Sequence, residues 1–133
     1  MAKYATSIRN ASLVSRQSAF AGGTLLLCAD PAPAQAAPLA VPAASSVLSR
    51  HLLAGSGAVQ SDQLIYGDAD VAVDDAADNS GTPTWAVVLD GNGAAVARFV
   101  GSQLAVTLAG GATSIAAGQP VDVDSWVITE GNG

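Results

Sequence analysis

Residues 118–133 read GQPVDVDSWVITEGNG, which predicts a turn followed by a long strand. Valine and aspartate alternate over residues 121–124, which is the period of two expected for a strand with one face in solvent. The next large apolar residues, Trp126 and Ile128, fall on the opposite parity. A β-bulge near Ser125 would bring all the apolar side chains onto one face. The stretch therefore predicts a bulged strand that buries its valines, Trp126 and Ile128 and turns its aspartates outward.

Segments of similar character, separated by frequent turns, fill most of the chain upstream of this strand. Trp85, Val87 and Leu89 alternate along one of them, and the Asp-Gly-Asn-Gly sequence at 90–93 supplies a hairpin turn. The predicted strands are residues 24–29, 47–53, 63–67, 70–73, 84–89, 94–100, 103–108 and 121–129. Short strands with turns this frequent predict a mainly β fold, namely an antiparallel β-sandwich or jelly roll.

The N-terminal third has a different character. Residues 4–20 contain no glycine or proline and predict a short helix that ends at Gly22 and Gly23. Arg9 and Arg16 are seven residues apart and would share one face of this helix. Residues 30–44 are rich in proline and alanine, which indicates an extended, semi-rigid segment. We expect a single domain over residues 1–133, with 1–20 as a helical arm.

The charges are few and unevenly distributed. The formal net charge is −6, from five basic and 11 acidic residues. All the acidic residues except Asp30 come after residue 60, where Arg98 is the one basic residue. A basic pole on an acidic body would orient the protein on a charged partner, although acidic residues also serve simply to keep an apolar domain in solution. Without a basic patch, we expect no nucleic-acid partner.

The apolar run at residues 24–29 allows two interpretations. As a buried strand, it makes Cys28, the only cysteine, a small packed hydrophobe that has no disulfide partner within the chain. As a secretory signal, it would be part of a longer apolar core at residues 19–29, which follows Lys3, Arg9 and Arg16 and precedes Pro-Ala-Gln-Ala at 33–36, a possible cleavage site. Two glycines interrupt the apolar core of that signal, so we favour the strand and keep export as an alternative. No segment has the length of a transmembrane helix, and we expect no membrane partner.

The sequence contains no recognisable catalytic or metal-binding motif. His51 is the only histidine and has no neighbouring cysteine, so we expect no zinc site, and no serine lies in a G-x-S-x-G elbow. The acidic residues of 68–79 and of 90–93 offer oxygen ligands for calcium, but their spacing does not match a calcium loop. We interpret both as solvated loops, and we predict no enzyme activity, no cofactor and no metal.

Several segments together resemble a known class of proteins. They are Ser-Ile-Arg-Asn-Ala at 7–11, the Pro-Ala segment, the tryptophan strand before Asp90-Gly91, and residues 115–121 and 125–129. In these segments the chain resembles small virion proteins of tailed bacteriophages, and most of all the capsid cement, or decoration, proteins of short-tailed phages. The resemblance implies a β-sandwich or jelly-roll structural protein on the outer capsid surface of the virion. It also implies two partners, the major capsid protein and further copies of the chain in a dimer or trimer.

The resemblance further implies that the protein binds neighbouring major capsid subunits from the outside of the shell. We therefore expect the subunit contacts in the helical arm and the Pro-Ala segment, at Arg9, Arg16, Pro31, Pro33, Pro38 and Pro42. Two alternative functions remain, which are a tail, fibre or baseplate module of a phage and an exported adhesin-like β domain. A small hydrolase that uses His51 is a third alternative, which we favour least.

Overall fold

The computed structural model describes residues 6–29, 33, 38–60 and 63–129, and of residues 6–10, 12 and 102 the backbone alone. These residues form one α-helix and eight strands. The helix, α1, spans Thr6–Phe20. The strands are β1 (Thr24–Cys28), β2 (Val47–Leu52), β3 (Ala58–Gln60), β4 (Gln63–Gly67), β5 (Trp85–Leu89), β6 (Ala95–Val100), β7 (Ala105–Leu108) and β8 (Val123–Thr129).

The strands form two four-stranded sheets in which all strand pairs are antiparallel. The first sheet has the order β2-β1-β5-β6 and the second the order β3-β4-β8-β7. Helix α1 packs against β3 and β4 of the second sheet. The predicted mainly β fold, an antiparallel sandwich with a short N-terminal helix, is therefore confirmed.

The main core lies between the inner faces of the two sheets. Alternate residues along each central strand point inward, because side chains of a strand alternate between its two faces. The first sheet contributes Leu25 and Leu27 of β1 and Ala86 and Val88 of β5, all with no exposed surface. The second sheet and the helix complete this core with Leu13, Phe20, Leu64, Tyr66, Val123, Trp126 and Ile128.

Strand β8 has the bulge that its parity change predicts. Thr107 of β7 pairs with Ser125, whereas the next residue, Leu108, pairs with Val123, so Asp124 is the additional residue. The apolar residues on both sides of this bulge are buried, namely Val121, Val123, Trp126 and Ile128. Asp124 is exposed as expected, but Asp122 is partly buried.

Two further predictions differ from the structure. Residues 70–73 are not a strand but an irregular segment along the edge strand β2, held by an isolated Leu53–Val71 bridge and the bond from the Ala72 N–H to the Leu52 carbonyl. The sequence did not predict strand β3, because this strand has only three residues and the first and last of them, an alanine and a glutamine, are exposed. Its pairing with β4 defines it.

The outer face of the first sheet is also buried, in a second apolar cluster of Leu26, Cys28, Val47, Trp85 and Val87. The indole N–H of Trp85 donates to the carbonyl oxygen of Ala29 at 2.8 Å. Burial raises the pKa of the Cys28 thiol to about 12, so the thiol stays protonated at neutral pH. The prediction of Cys28 as a packed residue within a buried strand is confirmed.

Candidate functional site

A groove of about 730 Å³ opens where the two sheets meet the helix. One wall is helix α1 and another is β6, the last strand of the first sheet, while β7 and β8 of the second sheet form the remainder. Its lining consists of Ser15, Arg16, Ala19, Phe20, Val96, Ala97, Arg98, Phe99, Gln103, Ala105, Val127, Ile128 and Thr129. It is the best candidate for a binding site in the described part of the chain, because such sites are concave and partly apolar.

The groove combines an apolar base with two positive charges. Phe20 and Phe99 line it and also contact the buried Trp126, with ring centroids 6.2 and 5.6 Å from the indole. Arg16 and Arg98 are its charged lining residues among those described, and both are partly buried. A guanidinium presents five N–H donors in a plane that matches carboxylates and phosphates. The groove is therefore suited to a ligand that carries negative charge beside apolar groups.

The structure brings two of the expected contact residues, Arg16 and Pro38, close to strand β6. Arg16 lines the groove, and the carbonyl oxygen of Pro38 accepts a hydrogen bond of 3.4 Å from Nη1 of Arg98. Arg98 was not among the contact residues expected from the sequence, although its position as the one basic residue among ten acidic residues after residue 60 was a signal that could have indicated it.

The other expected contacts are not joined to the groove by any described interaction. Pro33 is exposed and Pro42 is partly buried. Arg9 lies within helix α1, and the position of its side chain is outside the described set, as is all of Pro31. Their assignment as subunit contacts stays a prediction.

A serine and the single histidine form a buried pair on the first sheet. The Ser49 hydroxyl lies 2.8 Å from Nε2 of His51, and Nδ1 of His51 lies 2.8 Å from the Ala72 carbonyl oxygen. A carbonyl can only accept, so Nδ1 carries the proton and neutral Nε2 accepts from the hydroxyl. This bond pattern is that of an activated serine, yet both side chains have no exposed surface. The pair satisfies its own hydrogen bonds inside the core and offers no surface to a substrate.

Burial of His51 predicts a dependence of stability on pH. Desolvation lowers the pKa of the ring from 6.5, against the opposing effects of the Ala72 carbonyl and of Asp74. The unfolded chain therefore binds a proton more readily than the folded chain. Stability is highest above the unfolded pKa of 6.5 and falls as the pH drops below it, by up to about 1.4 kcal/mol per pH unit.

Urea denaturation between about pH 7.5 and about pH 5, where histidine titrates, tests this expectation. The free energy of unfolding should decrease over that range in the wild-type chain. In His51→Asn the amide N–H is retained for the Ala72 carbonyl, and the variant should be less stable throughout but show a smaller decrease. Equal slopes for the two proteins would contradict the assignment to His51.

Three carboxylates from distant parts of the chain form a second polar cluster. Asp68 follows β4, Asp124 is the bulge residue of β8 and Asp122 directly precedes that strand, and their oxygens lie within 4.8 Å of one another. A hydrogen bond with Asp68, burial and both neighbouring charges raise the pKa of Asp122. Oδ1 of Asp122 is inaccessible to solvent and has no hydrogen-bond partner among the residues that the structure describes. Carboxylates this close share a proton or hold a cation such as calcium, which takes six to eight oxygen ligands.

Three of the other acidic residues of 68–79, namely Asp70, Asp74 and Asp78, have structural contacts of their own. The Asp70 carboxylate accepts from the Gly67 N–H at 2.9 Å and closes the turn after β4. Asp74 accepts from the backbone N–H of Arg50, and Asp78 forms an ion pair of 2.8 Å with the Arg50 side chain. In the 90–93 turn, Asp90 accepts from two backbone N–H groups of the hairpin, as its turn sequence predicts. These contacts fix loops and leave Asp68 as the member of the 68–79 segment in the carboxylate cluster.

Comparison with known proteins adds no family assignment. No described helix is long and apolar enough to cross a membrane. No protein-family model, curated protein or solved structure matches this chain.

Proposed function

We propose that the chain is a structural protein of a tailed-phage virion, and within that class a capsid cement, or decoration, protein. It binds the outside of the major capsid lattice, associates with further copies of itself and has no enzymatic activity. The proposal rests first on the resemblance of residues 7–11, 115–121 and 125–129 to such proteins. The β-sandwich supports it because the same fold is implied by that resemblance.

The groove is the observation that carries the docking part of the proposal. It places Arg16, expected from the sequence to contact a capsid subunit, on the same surface as Arg98. Arg98 in turn holds the carbonyl of Pro38, a second expected contact. Charged residues clustered beside an apolar groove provide both orientation and contact area in an interface. We infer that the groove and the adjoining helix α1 face the shell.

The Ser49–His51 pair supports a non-enzymatic function. A nucleophile and its base must be reached by the substrate carbonyl, whereas both of these side chains are fully buried between the strands of the sandwich. Their hydrogen bonds are satisfied by one another and by Ala72. We therefore interpret the pair as a packed polar contact and not as a catalytic dyad.

A decoration protein needs no chemistry to stabilise a shell. Any molecule that binds the assembled state and not the separated subunits shifts assembly by mass action. At a concentration of 100 times the dissociation constant, one site contributes about 2.7 kcal/mol. Repeated over a lattice, contributions of this size resist rupture of the shell.

The test uses purified expanded capsids of the phage whose genome carries this gene. The protein is mixed with the capsids, the capsids are sedimented, and the bound fraction is measured against protein concentration. Deletion of residues 1–20 is unsuitable because Leu13 and Phe20 belong to the core. Arg16→Gln and Arg98→Gln should instead weaken binding by about tenfold each, the equivalent of one charged contact of about 1.4 kcal/mol.

Arg50→Gln is the matched control, because Arg50 is an exposed arginine outside the groove whose ion pair with Asp78 is also exposed. It should bind like the wild type. Absence of binding by the wild-type chain would contradict the capsid proposal. Binding to tails or baseplates instead would favour a tail module, and a mature N-terminus near residues 35–38 by intact-mass spectrometry would favour an exported domain.

A further inference from the structure

The groove has features that select one kind of partner. Strand β6 is the last strand of its sheet and β7 is the last strand of the other, so each has one side without a strand partner among the described residues. Both contribute residues to the groove, and the short 3₁₀ turn Gly101–Gln103 joins them along its rim. Such sheet edges present backbone N–H and C=O groups to an incoming extended segment.

Other edges of the sandwich are less suited to this. The edge strand β2 has residues 70–78 along it, with backbone hydrogen bonds at Ala72 and Asp78. Strand β3, the other outer strand of the second sheet, has only three residues. Strand β6 has six residues, which makes it the longest edge strand that lines a groove in the described part of the chain.

The charge of the groove is opposite to that of the protein. Two of the five basic residues line it, and no acidic residue does so among the residues described. Arg98 already donates to the Pro38 carbonyl, and Arg16 also has a partner within the chain, so each would attract a ligand through its charge and its position in the groove. A guanidinium has five N–H donors, so it can donate to the oxygens of a carboxylate in addition to its existing partner.

We propose that this groove binds an extended, acidic segment of a partner protein. The segment lies beside β6, places carboxylates near Arg16 and Arg98, and turns its apolar side chains toward Phe20 and Phe99. The alternation of acidic and apolar residues in such a segment matches the two faces of a strand. This inference deepens the proposed function, on which it rests for the identity of the partner as a capsid subunit, but the chemistry of the segment follows from the groove itself.

A peptide assay tests the inference without capsids. The probe is a fluorescein-labelled peptide in which glutamate and valine alternate, and a peptide of alternating lysine and valine is its control. Fluorescence anisotropy should show binding of the acidic peptide alone. Because the contact is ionic, affinity should fall at least about fivefold when sodium chloride is raised from about 25 to about 250 mM.

Variants locate the site. Arg16→Gln and Arg98→Gln should each reduce the affinity for the acidic peptide about tenfold, as the loss of one charge-assisted hydrogen bond does. Arg50→Gln should leave it unchanged, and thermal unfolding of all three variants verifies that they are folded. Equal binding of the two peptides, or unchanged binding in Arg16→Gln and Arg98→Gln, would overturn the inference.

Two further results distinguish this inference from the capsid proposal and from self-association of the chain through the groove. If the chain sediments with capsids but does not bind the acidic peptide, the groove inference fails while the capsid proposal stands. If the chain binds the peptide but does not bind capsids, the capsid proposal fails and the groove inference stands. Size-exclusion chromatography with light scattering tests whether a second copy of the chain occupies the groove instead. If Arg16→Gln dissociates an oligomer and the wild-type chain does not bind the peptide, the proposed acidic partner segment is wrong.

Discussion

Replacement of Trp126 by alanine is expected to lower the free energy of unfolding by about 3–5 kcal/mol, the cost of removing a large aromatic side chain from a core. The indole has no exposed surface and stacks on Tyr66, with ring centroids 4.8 Å apart. Phe20 of the helix and Phe99 of β6 also contact it, so this residue joins both sheets and the helix. Urea denaturation followed by circular dichroism measures the loss.

Two comparison variants make this result specific. Trp126→Phe retains an aromatic ring and removes a buried indole N–H that has no hydrogen-bond partner in the described part of the chain, so it should cost much less than the alanine variant. Val14→Ala changes a helix residue that is 48% exposed and should alter stability by no more than about 0.5 kcal/mol. If Trp126→Ala cost as little as Val14→Ala, the aromatic cluster would not be the centre of the core.

Gly23→Ala is expected to be the second most damaging substitution. A methyl group at this position would overlap the carbonyl oxygen of Leu89 and come within 3.0 Å of the Phe20 carbonyl oxygen. Both are backbone atoms, so no change of rotamer relieves the contact. Gly23 is also held by its own hydrogen bonds to Phe20 and Leu53. Overpacking of this kind costs about 1–3 kcal/mol, and we expect the upper end of that range.

Gly91→Ala is its matched control in the hairpin turn beside it. There a methyl group would have the carbonyl oxygen of Gly22 as its nearest neighbour, at 3.8 Å, which is ordinary van der Waals contact. Parallel urea denaturation of the two variants should show a large loss for Gly23→Ala and little change for Gly91→Ala. Similar midpoints for the two would refute the close approach of the helix end to β5.

The sequence predicted the parts of the fold that depend on local pattern. The change of parity between Val123 and Trp126 predicted the bulge, because one additional residue is the only way to keep both on the buried face. The alternation of apolar and polar residues wrongly predicted a strand at residues 70–73, where Val71 is buried but Val73 is 48% exposed. There Asp70 closes a turn with Gly67, and the segment follows the edge of β2 without forming a regular ladder.

The groove and the polar clusters were beyond prediction for a physical reason. Arg16 and Arg98 come from opposite halves of the chain, and they meet because helix α1 packs against the second sheet while β6 is the outer strand of the first. The cluster of Asp68, Asp122 and Asp124 likewise depends on the pairing of β4 with β8. Local composition indicated acidic loops, but it carried no information about which carboxylates meet across a sheet.

The proposal that this chain decorates a phage capsid is tested most directly by a cryo-electron microscopy reconstruction of phage virions purified from the source of the gene. We expect repeated density on the outer face of the capsid lattice that fits the eight-stranded sandwich, with helix α1 and the Arg16–Arg98 groove toward the capsid subunits. Density for the sandwich at the tail or baseplate would contradict the proposal. A finding that native virions do not contain the protein, with no added density on the capsid, would contradict it as well.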